Sequence, residues 1–150
     1  MIIYDKLQHS NNSKFKDKLK LLLKPPKIKH YAYGSKLGNK LWTRLRLGRS
    51  YLNSHGYAIG KVPSPSCQCH FKNETVQHYL LDCFLYTNER QSLFTEVNQY
   101  VSNFYTMTKT NKTELLLSGL PDNDQFEINR NVAKLVQLFI LQTKRFLIRQ

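Results

Sequence analysis

The stretch SPSCQCHFKNETVQHYLLDCFLY, residues 64–86, holds every cysteine of the chain and two of its five histidines. Their order is Cys67, one residue, Cys69, eight residues, His78, four residues, Cys83. Three soft thiolates and one imidazole form the ligand set that tetrahedral zinc accepts when its role is structural. The spacing suits a shared ion. Pro65 opens a loop from which Cys67 and Cys69 aim two sulfurs at one point. The segment ETVQHYLLDC predicts a short helix with His78 facing inward and a terminal turn that returns Cys83 to the same place. The expected ligands are therefore Cys67, Cys69, His78 and Cys83, with Zn2+ as a structural cofactor. His70 is a rival beside Cys69, but only His78 has both the helix position and the four-residue separation from Cys83. Four protein ligands leave no open position for water, so the site predicts structure and presentation, not hydrolysis. A cysteine nucleophile would need a base, an orienting group and an oxyanion site, and nothing in the sequence singles these out.

A metal is not required by size. A chain of 150 residues, 41% hydrophobic and 12% aromatic, suffices for one domain with an appended arm. Structural zinc in small peptides nevertheless binds with about 10–16 kcal/mol, comparable to the ~5–15 kcal/mol stability of a whole domain. A local knuckle can thus depend wholly on its ion. The odd number of thiols fits a reducing compartment, which gives an intracellular expectation, nuclear or cytoplasmic. The start MIIYDKLQHS lacks a long apolar run, and LVQLFIL is too short to cross a bilayer, so no membrane span is expected.

Charge is distributed unevenly around the cysteine cluster. Residues 1–66 carry 14 of the 23 Lys and Arg but only 2 of the 10 Asp and Glu, so nearly all of the net +13 lies ahead of Cys67. One half of the molecule is suited to a polyanion, either nucleic acid or an anionic membrane surface. Within it, NSKFKDKLKLLLK places Phe15, Leu19, Leu22 and Leu23 at helical spacing among lysines and stops at Pro25 and Pro26. Ser35 is a plausible cap for a second helix, which Gly48 closes. Leu37, Leu41 and Leu45 form its apolar stripe, and Lys36, Lys40 and Arg44 form a basic one beside it, joined by Arg46 and Arg49. Trp42 and Tyr51 are candidates for base stacking or, beside a leucine stripe, for the core.

The remainder predicts scaffold. Leu93, Val97, Tyr100, Val101 and Phe104 recur as a buried helical stripe. A polar, turn-rich connection is expected through TKTNKTE and SGLPDND, with a short apolar run at Leu115, Leu116 and Leu117 between. Asp124 and Glu127 resemble a capping box opening a long last helix, whose inward face carries Ile128, Val132, Leu135, Phe139 and Phe146. The fold class is mainly α, a small helical domain with a zinc-knuckle-like loop and helix and a basic N-terminal arm. Its divisions are an arm over 1–30, a knuckle module over 31–105, and a linker with a packed C-terminal helix over 106–150.

The run from Thr43 to Phe94 resembles the segment that follows the catalytic core in reverse-transcriptase polyproteins of non-LTR (LINE-like) retrotransposons. The likeness rests on an ordered combination: Arg44-Leu45-Arg46, Leu52-Asn53, Ser64-Pro65, the pair Cys67 and Cys69, Glu74-Thr75, His78, Leu80-Leu81, Cys83 and Arg90. With the ending FILQTKRF it covers roughly residues 28–148. The resemblance implies a CCHC zinc knuckle that contacts template RNA or target DNA. The family usually has Gly after the second cysteine, where this chain has His70, so a tight turn must here be made by a residue with a side chain. The family's polymerase activity does not carry over, because its metal-binding aspartates belong to an upstream domain. The expectation is a non-enzymatic, reverse-transcriptase-derived piece that binds RNA or DNA with low sequence specificity, with Lys36, Lys40, Arg44, Arg46 and Arg49 meeting phosphates. The alternative is a zinc-stapled scaffolding domain whose apolar helices packed on a reverse-transcriptase polypeptide. Membrane association through the N-terminal amphipathic segment is a third possibility.

Overall fold

The structure is a computed structural model that describes residues 34–121 and 123–147; the arm expected over 1–30 lies outside them. The described residues are helical, with one isolated antiparallel bridge between Ser66 and Asn73.

Helix α1, Lys36–Leu47, starts and stops where local chemistry dictates. The Ser35 hydroxyl accepts the Gly38 N–H at 2.9 Å, which satisfies one of the donors a first helical turn leaves unpaired. At the other end Gly48 turns left-handed at φ 69°, and its N–H points back to the last carbonyls. Leu41, Trp42 and Leu45 face the core, whereas Leu37, at the exposed start of the stripe, does not. Trp42 is 2% exposed and donates its Nε1–H to the Leu116 carbonyl at 3.1 Å. Its place is the core, so it offers no face to a base.

A short helix α2, Asn53–Ala58, leads into the cysteine loop. Helix α3, Thr87–Tyr100, then buries Leu93 and Val97, and the stripe continues past its end in Val101 and Phe104. Tyr100 lies outside the stripe and is exposed. The expected polar connection is instead helix α4, Lys109–Ser118. Thr108 initiates it by accepting the Asn111 N–H at 3.2 Å. Leu115, Leu116 and Leu117 are all buried because α4 is packed by both α1 and α5.

The long helix α5, Phe126–Thr143, packs on α1, α3 and α4 and buries Val132, Ala133, Val136, Phe139 and Ile140. Ile128, Leu135 and Phe146 border that core, half-buried. The expected capping box at Asp124 does not form. A single 3₁₀ turn, Asn123–Gln125, precedes the helix, and no side chain caps it. The approach is fixed by Asn129, whose amide accepts from Leu120 N at 2.7 Å and donates to Leu120 O at 3.0 Å. Gly119 makes this possible: at φ 75°, a Cβ there would lie 2.6 Å from the Asn129 side chain.

One continuous core therefore joins α1 to α5. Trp42→Ala is expected to remove about 3–5 kcal/mol of stability and to leave the Leu116 carbonyl without its donor, a loss readable as a lowered urea midpoint.

Candidate metal centre

The loop carrying Cys67 and Cys69 is shaped by its own backbone. Cys67 N–H donates to Lys72 O at 2.8 Å, His70 N–H to Cys67 O at 3.0 Å, and Glu74 N–H to Pro65 O at 2.9 Å. The chain reverses at His70, which takes φ 66°, a left-handed conformation costly for a residue with a side chain. The position at which the resembled family has glycine is thus the one where the backbone needs glycine's freedom. The exposed His70 ring lies outside the cysteine cluster, so it is not the rival ligand.

His78 and Cys83 arrive by a different device. The Thr75 hydroxyl accepts the His78 N–H at 3.1 Å and opens a helical turn, which widens into a π-helical turn over His78–Asp82. Its closing bond runs from Cys83 N–H to His78 O, five residues back, at 2.8 Å. That register sets Cys83 above His78 on one face. Arg90, buried in the first turn of α3, receives the carbonyls that the turn leaves over. Its Nε donates to Leu80 O at 2.9 Å, Nη1 to Cys83 O at 2.6 Å and Nη2 to Tyr79 O at 2.9 Å.

These two devices converge. Cys67 Sγ lies 3.7 Å from Cys83 Sγ, Cys69 Sγ lies 3.3 Å from His78 Nε2, and all four ligand atoms fall within 4.8 Å of one another. Tetrahedral bonds of about 2.3 Å to sulfur place two sulfurs roughly 3.8 Å apart, so the donor set fits zinc in chemistry and in size. All four side chains are buried. Burial pushes the Cys67 thiol up to about 12 and raises Cys83 as well. It also works to raise Cys69, but backbone N–H donors from Phe71 and Lys72 and the neighbouring thiols outweigh it, and Cys69 ends below its ordinary value. Burial, helped by the nearby charges of Lys72 and Arg90, lowers His78 despite the opposing pull of Asp82 and so favours the neutral imidazole that ligates metal. The cluster lies close enough together to hold a metal ion.

Sequence reasoning assigned no role to the group that ties this cluster to the rest of the fold. Glu74 is 1% exposed, and its carboxylate accepts from Arg145 Nε at 2.8 Å and Nη2 at 2.6 Å. It also accepts the Asn53 N–H at 2.7 Å, and its Oε2 lies 4.0 Å from Cys67 Sγ. Asn53 completes the junction by donating its side-chain amide to Ser66 O at 2.7 Å. The knuckle, the start of α2 and the residues just after α5 thus meet at one carboxylate. Hydrogen bonding to Glu74 raises the pKa of Arg145.

The expected phosphate-binding residues do not share one environment. Lys36 and Lys40 are exposed, and Arg44 and Arg49 are half-buried. Arg46 is 6% exposed, with its guanidinium 4.9 Å from the Trp42 ring centroid. It packs on the core tryptophan and does not join the exposed basic face, which corrects the expectation that it meets phosphate. Compared with family models, with curated proteins and with solved structures, the chain has no match.

Two outcomes test the centre. Native mass spectrometry should find one metal ion per chain, removed by a strong chelator and missing from Cys83→Ser. Arg90→Ala, which removes a guanidinium donor from three carbonyls and leaves Cys83 O only its 3.3 Å bond from Tyr86 N–H, should weaken metal affinity about 10–100-fold in competition with a chromophoric chelator.

Proposed function

We propose that this chain is a zinc-stapled nucleic-acid-binding module, non-catalytic and of low sequence specificity, related to the segment that follows the polymerase core in non-LTR retrotransposon reverse transcriptases. The observation that carries the reading is the charge of the chain that leads into and through the cysteine loop. From residue 34 to residue 73 there are seven basic side chains and no acidic one. The first carboxylate, Glu74, is buried and neutralised by Arg145. Lys36, Lys40, Lys61 and Lys72 are exposed along this stretch.

This stretch has no carboxylate of its own, and a nucleic acid supplies opposite charge at closely spaced phosphates. Phosphate binding of this kind positions a strand without reading its bases, hence the low specificity. Zinc held by four protein ligands has no place for a reacting water, so its part is to fix the loop and the π turn. The relation to the retroelement segment is supported by the ordered residues that carry the resemblance and by the left-handed turn at His70. No helix among the described residues is long and apolar enough to cross a membrane.

Fluorescence anisotropy with labelled RNA and DNA over a salt series tests the reading. Log K should fall linearly with log salt. In Lys36→Gln/Lys40→Gln the slope should flatten by about 0.7–0.9 for each phosphate that is no longer neutralised, with unchanged metal stoichiometry. Affinity that is flat in salt removes the nucleic-acid reading and leaves a scaffolding role for the stapled fold.

A further inference from the structure

We propose that the knuckle carries a stacking platform for unpaired nucleobases, formed by Phe71 and Phe84. The inference rests on the nucleic-acid reading above and narrows its substrate from nucleic acid in general to single strands.

Phe71 is 79% exposed and Phe84 is 54% exposed, yet the two rings meet edge to face, with centroids 5.6 Å apart and planes at 78°. Each is presented by a ligand segment. Phe71 follows Cys69 by two positions, and Phe84 directly follows Cys83. Their backbones are thus fixed by the groups that would hold the ion, so little conformational freedom remains to be lost on binding.

An edge-to-face pair leaves ring face uncovered, and ring faces are what bases stack on. The surroundings favour a polyanion. Gln68, His70, Lys72 and Asn73 are exposed in the loop that carries Phe71, and the acid nearest Phe84 in sequence, Asp82, is engaged by Lys109 at 2.9 Å. A protein partner would need an apolar field of hundreds of Å² per side; Leu85, 42% exposed after Phe84, extends the apolar surface, while the exposed residues on either side of Phe71 are polar. A base needs only a ring face and a nearby cation. Paired bases inside a duplex keep their faces covered, so the platform distinguishes single strands where phosphate binding cannot.

The test uses the full, metal-loaded chain with fluorescein-labelled oligo(dT), and a duplex of the same length, at one fixed salt concentration. The wild type should prefer the single strand. F71A/F84A should lose about five- to hundred-fold on oligo(dT) and less than about two-fold on the duplex, with metal stoichiometry unchanged. F71W should retain the preference, and a 2-aminopurine placed in the strand should be quenched by the wild type but not by F71A/F84A. Phe71→Ala alone, at the more exposed ring, should lose several-fold on oligo(dT) and supplies the test if the double variant fails to fold. Equal losses on both probes, or unchanged oligo(dT) affinity, overturn the platform while leaving the basic surface standing. Unchanged affinity with altered self-association overturns it in favour of a protein partner. A wild type that binds neither probe overturns the nucleic-acid reading itself.

Discussion

Two residues five positions apart do not share a face of an α-helix, because at 100° per residue they point about 140° away from each other. His78 and Cys83 must nevertheless reach one point, and the bond from Cys83 N–H to His78 O is the constraint on which the rest of the centre depends. It widens one turn to π geometry and leaves the carbonyls of Tyr79 and Leu80 misaligned for an ordinary ladder. Arg90 collects them together with the Cys83 carbonyl. Its planar fork fits three acceptors that a lysine could serve only in part. Because Arg90 belongs to the first turn of α3, the angle at which that helix leaves the knuckle follows from the geometry that aligns the two ligands.

Glu74 performs the corresponding task on the other side. An ion pair removed from water gains little net stability, since desolvation offsets most of the attraction. The Glu74–Arg145 pair therefore explains position better than it explains free energy. It joins residues 71 apart in the chain and adds the start of α2 through Asn53. It also answers an electrostatic need. A bare carboxylate 4.0 Å from Cys67 Sγ would oppose a thiolate there, and the guanidinium cancels that charge.

What could be read from the sequence follows the range of each interaction. The clustering of Cys67, Cys69, His78 and Cys83 was legible because few residue types serve as soft metal ligands and their spacing is local; α1 was legible because Ser35 and Gly48 mark its ends. Helix α4 was hidden by its polar first half, KTNKTE, since its order comes from the Thr108 cap and from being packed by two other helices. The Asp124 and Glu127 pattern lost to a 3₁₀ turn stabilised from outside by Asn129. Arg46 was misplaced because a basic stripe carries no sign of which cation lies over a ring; four positions after Trp42, it sits on the indole. Glu74 and Arg145 could not be paired in advance, because no periodicity connects residues so far apart. The left-handed φ at His70 was signalled only where the resemblance set glycine against it.

The metal centre and the basic surface also solve one physical problem together. Seven basic side chains without a carboxylate among them, over residues 34–73, repel one another in the compact state more than in an extended chain. A loop such as 60–73, with Pro63 and Pro65 and a single β-bridge, has little apolar surface with which to resist that repulsion. Ligation of a metal ion at Cys67 and Cys69 would supply a local restraint that does not need carboxylates on the surface to neutralise the field. Two acids of the knuckle segment are engaged, Glu74 by Arg145 and Asp82 by Lys109. A metal ion held by the four side chains would restrain the knuckle from within, without calling on surface ion pairs.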